Sequence, residues 1–217
     1  MKYAIALCLC FVAGFCQAQT ITPTEHIDLF NGKDFSGFTF FMRSNSPPEK
    51  TWSITTNGCI HCKGRPTGFL RTEKTYANYH LTVEWRFLKV APHADNTGVL
   101  VNMQLPDKLW SECVECQGQN QKQGDYWLHS GASADGFPSD GKKSVHAPMA
   151  GPPNENPIGE WDSFEVIARD ATVETIVNGK SMNKIAGVNV TSGFIGIQSE
   201  GADIEVRKIF LDPLPRQ

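Results

Sequence analysis

The chain has 217 residues and a formal net charge of −3, with 20 lysines and arginines against 23 aspartates and glutamates. This mild charge of mixed sign argues against a nucleic-acid-binding protein, for which a basic face is expected. The length is sufficient for one sizeable hydrophobic core.

The first residues have the pattern of a secretory signal peptide. Lys2 precedes an apolar run over residues 3–15, which is too short to span a bilayer but has the length of a signal core. Cleavage is predicted after Ala18, and a lipid anchor is not, because Phe15 rather than a small residue precedes Cys16. No later stretch is apolar enough for a membrane span. We therefore predict an exported, periplasmic or extracellular protein in which residues 19–217 form one domain.

Strand patterns dominate the remaining sequence. The longest, over residues 79–88, alternates Leu81, Val83, Trp85 and Phe87 with polar residues. Asn-Gly pairs at 57–58 and 178–179 indicate tight turns. Other strands are predicted at 52–55, 59–63, 69–72, 98–103, 113–117, 163–169, 173–177, 193–199 and 203–211. Many short strands separated by turns predict an all-β sandwich or jelly roll.

Four cysteines follow the signal segment, as two Cys-x-x-Cys pairs at 59/62 and 113/116. The pairs are about 50 residues apart, against about 15–20 in a compact zinc ribbon. Residues i and i+3 of an extended strand are also too far apart for a disulfide. Free, partly buried thiols are the favoured interpretation, and a cross-strand disulfide or a zinc site remains open.

One segment, residues 130–159, is rich in Gly, Pro, Ser and Asp and shows no periodicity. It contains His146 and two lysines. Long loops of this kind are usually functional or disordered. We expect either a contribution to the functional site or a floppy surface loop.

Strand alternation places a second set of polar side chains opposite the core. Glu84 and Arg86 lie on the face opposite Trp85, and Glu115 shares a face with Gln117. Gln198 likewise points away from the apolar residues of its strand. In a curved sheet these faces would line a groove suited to a sugar. Tryptophans such as Trp110, Trp127 and Trp161 could stack on the sugar ring. The alternative is a solvated face with ordinary cross-strand ion pairs.

Short motifs spread over nearly the whole mature chain support the sugar interpretation. They are DLFNGKD at 28–34, WSITTNGCIHCK at 52–63, GFLR at 68–71, EWR at 84–86, NTGV at 96–99, ECQ at 115–117, GDYW at 124–127, GEW at 159–161, VNG at 177–179 and GIQSEG at 196–201. In this order they resemble the 3-keto-disaccharide hydrolase domain family, also known as DUF1080. Two positions depart from its pattern: Thr97 replaces a serine, and Asp162 replaces an asparagine.

The resemblance implies a concanavalin A-like jelly roll of two antiparallel sheets, with its site on the concave face. It also implies action on glycosides whose C3 hydroxyl has been oxidised to a ketone. The ketone acidifies the C2 proton, so a base can start elimination of the C1 substituent, and water then adds to the double bond. This route needs a base near C2, a partner for the ketone oxygen and an acid for the leaving oxygen.

Motif and strand position together assign the roles. Glu115 is the expected base, and Arg86 or a bound divalent metal is expected to stabilise the oxyanion. The remaining candidates are Glu84, Asp125 and His146 for the acid, Gln117, Asn96 and Gln198 for hydroxyl groups, and Trp127 and Trp161 for the sugar ring. His61, His80, His93 and His129 show no ligand spacing and are interpreted as surface or supporting groups.

Two other functions remain open at this point. A conventional glycosidase could use Glu84 and Glu115 as its two carboxylates. A lectin-like module could bind glycans without cleaving them, because a fold does not determine a function.

Overall fold

The computed structural model describes residues 19–89 and 96–215, which leaves the predicted signal peptide and His93 outside the described residues. The described residues form fifteen strands and two short 3-10 helices, Arg43–Asn45 and Pro48–Lys50. The strands are β1 Ile27–Asp28, β2 Phe38–Met42, β3 Trp52–Ile54, β4 Ile60–Cys62, β5 Gly68–Thr72, β6 Tyr79–Phe87, β7 Gly98–Met103, β8 Cys113–Gln117, β9 Tyr126–His129, β10 Val145–Ala147, β11 Asp162–Arg169, β12 Thr172–Val177, β13 Lys180–Ile185, β14 Phe194–Ser199 and β15 Ile204–Pro213. None of the helices in this part of the chain is both long and apolar enough to cross a bilayer.

The strands form two antiparallel sheets. Sheet I has the order β13-β12-β11-β6-β15-β4-β3, with β1 paired to β15, and sheet II has the order β10-β9-β8-β7-β14-β5-β2. In sheet II the consecutive strands β7 to β10 lie beside β14, β5 and β2, which come from distant parts of the chain, as in a jelly roll. The predicted all-β sandwich of two antiparallel sheets is confirmed.

The hydrophobic core fills the space between the sheets. The alternation of β6 places Leu81, Val83, Trp85 and Phe87 inside, each at most 3% exposed. Sheet II contributes inward residues such as Val114 of β8 to the same apolar cluster. The faces predicted from alternation in these strands are confirmed.

Both predicted Asn-Gly turns form, and the pair at 178–179 has the backbone that such pairs favour. Asn178 and Gly179 both have positive φ, 49° and 78°, and they join β12 to β13. This is the conformation that two-residue hairpin turns require. Gly58 has a φ of 74° in the turn before β4.

Segment 130–159 is not a structureless loop. Residues Val145–Ala147 form β10, which pairs with β9 at the edge of sheet II. His146 lies directly opposite Trp127 in this pairing. The segment therefore brings His146 to the sheet that carries Glu115.

The cysteines Cys59, Cys62, Cys113 and Cys116 are all free and buried, and no disulfide joins any of the described cysteines. This confirms free thiols, although they are more deeply buried than expected. Burial raises the pKa of both Cys62 and Cys116 to about 12.

Candidate active site

A pocket of about 380 Å³ lies on the outer face of sheet II. It occupies this face because Glu115 and Gln117 of β8 alternate with the core residues Val114 and Cys116. Its lining combines carboxylates, amides, imidazoles and indoles: Asn96, Trp110, Glu115, Gln117, Gln119, Lys122, Asp125, Trp127, His129, Ser144, His146 and Glu200.

The strand register sets the main polar side chains side by side. His146 of β10 is opposite Trp127 of β9, and Trp127 is opposite Glu115 of β8. Residues directly opposite each other in antiparallel strands have Cβ atoms about 4.5–5.5 Å apart. Three neighbouring strands therefore present an imidazole, an indole and a carboxylate in one row.

Gly98 opens a gap between Glu115 and Gln198. Strand β7 lies between β8 and β14, so a side chain at position 98 would separate these two residues. A Cβ atom there would be 3.0 Å from Gln198 Oε1 and 3.1 Å from Glu115 Oε1. Glycine instead allows Gln198 Nε2 to donate to Glu115 Oε2 across the strand, at 3.0 Å.

Glu115 is a buried carboxylate of the pocket that is held by two hydrogen bonds. Its Oε2 is also 2.6 Å from His129 Nε2, and the two side chains are only 3% and 5% exposed. Both hydrogen bonds end on Oε2, so Oε1 takes no part in either.

His129 links Glu115 to Ser144. His129 Nδ1 is 2.6 Å from Ser144 Oγ. A carboxylate can only accept, so Nε2 of the neutral ring carries the proton and Nδ1 accepts from the serine hydroxyl. Trp110 stacks on the same imidazole, with ring centroids 5.0 Å apart. The Glu115 carboxylate is thus held by the buried His129, which in turn is bonded to Ser144 nearer the surface.

Asp125 holds the second histidine of the pocket. Its Oδ2 is 2.8 Å from His146 Nε2, and its Oδ1 accepts from the Met149 backbone N–H, also at 2.8 Å. Trp127 stacks on His146 at 4.4 Å. Because both oxygens of Asp125 are engaged, its role is to orient His146, which is 36% exposed and faces the pocket.

A second glutamate, Glu200, lies in the same pocket just beyond the end of β14. Its Oε2 accepts from Asn96 Nδ2 at 2.9 Å. Burial and the nearby charge of Glu115 raise the pKa of Glu200 to about 7, against a smaller opposing effect of Arg65. Two amide oxygens in this wall, Asn96 Oδ1 and Gln198 Oε1, are buried without a hydrogen-bond partner among the described residues. They can accept from a ligand hydroxyl.

Three predicted site residues lie elsewhere. Glu84 and Arg86 are on the outer face of sheet I, where Glu84 pairs with Arg207 and Lys208 and Arg86 pairs with Glu205. Trp161 is stacked between the guanidinium groups of Arg86 and Arg207. The expectation that these residues share a groove with Glu115 is wrong. Alternation placed the Glu84 and Arg86 side chains away from the core, but it could not assign their strand to a sheet.

The structure brings the other predicted residues together. Asn96, Glu115, Gln117, Asp125, Trp127 and His146 line the pocket, and Gln198 contacts Glu115. Of the two interpretations of His129, the supporting group is the correct one and the surface group is wrong, because the imidazole is buried against Glu115. The signal was present in β9: Trp127 and His129 alternate with the core residues Tyr126 and Leu128.

Asp162, which departs from the family pattern, is a buried support for the pocket wall. Its Oδ1 accepts from Asn178 Nδ2 and the Asn156 N–H, and Gln123 Nε2 donates to its Oδ2. Gln123 Oε1 in turn accepts from the indole N–H of Trp85. The carboxylate therefore retains a full set of contacts at this position, linking segment 130–159 to the core.

The expected option of a divalent metal finds no ready ligand set. Within residues 19–89 and 96–215, no three His, Cys, Asp or Glu side chains are arranged to hold a metal ion. The cation that lines the pocket is Lys122.

Two antiparallel sheets with a polar pocket on one outer face define a concanavalin A-like jelly roll. Solved structures share this fold: a presumed glycosyl hydrolase from Parabacteroides distasonis matches with a TM-score of 0.61 at 19% identity, over 88% of this chain and 95% of that one. A Bacillus licheniformis beta-glucanase matches with a TM-score of 0.56 at 10% identity, over 88% and 97%. The carbohydrate-binding module CBM66 from Bacillus subtilis matches with a TM-score of 0.57 at 8% identity, over 81% and 95%.

The chain belongs to the family of 3-keto-alpha-glucoside-1,2-lyase-like domains, whose model matches residues 25–212. This confirms the family resemblance and makes the chain a glycoside-related hydrolase or lyase domain. No curated protein matches the sequence significantly.

Proposed function

We propose that this protein cleaves 3-keto-glycosides by removing the C2 proton, expelling the C1 substituent and adding water to the resulting double bond. The observation that carries the proposal is Glu115, a buried carboxylate that lines the pocket while two donors hold only one of its oxygens. The family match supports the same chemistry.

Glu115 fits the role of base for geometric reasons. His129 and Gln198 fix Oε2, which leaves Oε1 as the basic atom for the C2 proton. A base must be positioned within hydrogen-bond reach of the proton it removes, and a rigid carboxylate requires little reorganisation. After Oε1 has taken the proton, Glu115 is neutral, and its Oε2 can still accept the hydrogen bond from His129.

The ketone oxygen needs a positive or hydrogen-bonding partner as negative charge develops on it. Arg86 cannot serve, because it lies on sheet I. Lys122 and His146 line the pocket and take over this function in our proposal. Asp125 keeps His146 oriented toward the pocket.

The remaining lining suits a sugar. Trp110 and Trp127 line the pocket and offer indole rings to a sugar, and each also stacks on a histidine of the site. Asn96 Oδ1 and Gln198 Oε1 are buried acceptors without partners in the described chain. A buried unpaired acceptor costs about 1–3 kcal/mol, so a hydroxyl donated by the substrate would be favourable.

The decisive experiment compares Glu115→Gln with the wild type on 3-keto and unoxidised glucosides, with and without a chelator. We expect loss of at least about 100-fold in turnover of the 3-keto substrate, with unchanged thermal unfolding. Glu84→Gln is the matched control, because it removes a carboxylate from the other sheet. Wild-type rates in Glu115→Gln would eliminate Glu115 as the base.

A conventional glycosidase using Glu84 and Glu115 is inconsistent with the fold, since the two residues lie on different sheets. A lectin-like function is favoured by one observation, the fold likeness to a carbohydrate-binding module. Calorimetric binding of a glycan with no product by mass spectrometry would support it. We also propose that residues 1–18 direct export, so that the pocket meets glycosides outside the cytoplasm.

A further inference from the structure

Glu200 is a second carboxylate of the pocket; it belongs to the GIQSEG motif at 196–201, but the sequence analysis gave it no role. It follows β14 two residues after Gln198, on the side of the strand that faces Glu115. Its Oε2 is fixed by Asn96 Nδ2 at 2.9 Å. The two glutamates therefore approach one pocket from neighbouring parts of sheet II.

The two carboxylates have opposite surroundings. Glu115 Oε2 receives two hydrogen bonds, from His129 and Gln198. Glu200 has one neutral amide donor, is partly withdrawn from water and faces the charge of Glu115. Burial and this like charge raise the pKa of Glu200 to about 7, so Glu200 can carry a proton near neutral pH. Paired carboxylates with environments that differ in this way divide acid and base roles.

We propose that Glu200 is the general acid that protonates the leaving glycosidic oxygen while Glu115 acts as the base. The proposal rests on the proposed function. In elimination, Glu115 takes the C2 proton, the C1–O bond breaks, and Glu200 gives its proton to the departing oxygen. In hydration, Glu200 removes a proton from the water that attacks C1, and Glu115 returns its proton to C2. Both residues end in their starting states, and one water is consumed.

The other acid candidates of the pocket fit less well. Both oxygens of Asp125 are engaged, by His146 and by the Met149 N–H, so neither is free to face a leaving oxygen. His146 is bonded to Asp125 and stacked on Trp127, which places it at the side of the pocket formed by β10 and β9. Glu200 enters from the β14 side, close to Glu115.

The test uses two 3-keto-glucosides that differ only in the leaving group. 4-Nitrophenolate departs without protonation, whereas methanol needs a proton. In Glu200→Gln we expect kcat/KM to fall about 100-fold or more for the methyl substrate and to stay within a few-fold for the nitrophenyl substrate. Glu115→Gln should lose both activities, since C2 proton removal precedes departure of either group. Thermal unfolding of each variant checks folding, and Asn96→Ala is a second variant, expected to show a weaker form of the same pattern.

Equal losses for the two substrates in Glu200→Gln would overturn the proposal, because they would indicate a role in binding or structure. Full activity on the methyl substrate would also overturn it. A leaving-group-dependent loss in His146→Asn but not in Glu200→Gln would assign the acid to His146 instead. If the wild type cleaved neither substrate, the proposed function itself would fail, and this outcome is distinct from the other three.

Discussion

Replacing Gly98 with alanine would place a methyl group in the gap through which Gln198 reaches Glu115. The new Cβ would lie 3.0 Å from Gln198 Oε1, 3.1 Å from Glu115 Cγ and 3.1 Å from Glu115 Oε1. These separations are shorter than normal carbon–oxygen and carbon–carbon contacts, so the two side chains must move apart by a few tenths of an ångström. Neither can do so without changing the hydrogen bond between them.

The size of the effect follows from that bond. A hydrogen bond to a charged group contributes about 1.5–3 kcal/mol, and small displacements of a catalytic group can reduce rates about 100-fold. We therefore expect a decrease in kcat of about 10–100-fold. The backbone of Gly98 is not in the left-handed region, so alanine needs no strained φ and the melting temperature should change little.

The assay is kcat and KM on a 3-keto-glucoside for Gly98→Ala, Gln198→Ala and the double variant, with thermal unfolding of each. If the methyl group acts by disturbing the Glu115–Gln198 bond, the two single losses will not add in the double variant. Full additivity, or wild-type kcat in Gly98→Ala, would refute the argument that the gap at position 98 serves this contact.

Three other predictions follow from the placement of charged residues. Glu84→Gln should leave kcat/KM within about two-fold of wild type and change stability by less than about 1 kcal/mol in chemical denaturation, because its ion pairs are on the surface of sheet I. Glu200 has a folded pKa of about 7 against its usual 4.5, so its favourable contribution is complete below pH 4.5 and is lost as the pH rises through 7. Between pH 5 and pH 8, the Glu200→Gln variant should therefore gain stability relative to wild type. The expected gain is about 1–2 kcal/mol, less than the full pKa shift would give, because the carboxyl is only partly buried. Denaturant titrations at both pH values measure the free energies of unfolding. Asp107→Ala should raise KM about five-fold or more with little effect on kcat. Arg71 donates to both Asp107 oxygens at 2.7 Å, and this ion pair anchors the loop that carries Trp110. An unchanged KM in steady-state kinetics would contradict this.

Local patterns in the sequence predicted much of the fold. The alternation in β6 identified its buried face, and both Asn-Gly pairs form turns in which the glycine has positive φ. These features depend on neighbouring residues alone, through side-chain period and backbone preference. Glu115 and Gln117 were likewise assigned to an outward face of β8.

Features that depend on pairing between distant strands could not be predicted. Alternation predicts that both Glu84 and Glu115 point away from the core, but β6 and β8 belong to different sheets. Strand β10 has only three residues and is defined by its pairing with β9, so its own sequence carries almost no strand signal. The position of the Glu200 carboxylate depends on a hydrogen bond from Asn96, which is 104 residues away in the chain.

The buried thiols can be used to measure how often the two sheets of the sandwich separate. With a pKa of about 12, Cys62 and Cys116 have almost no reactive thiolate at neutral pH, and the protein shell blocks access to the sulfur atoms. A thiol reagent should therefore modify these positions only in molecules whose sandwich has separated. The rate of alkylation under native conditions would then measure the free energy of that separation without any denaturant, and ligand binding in the pocket should slow it.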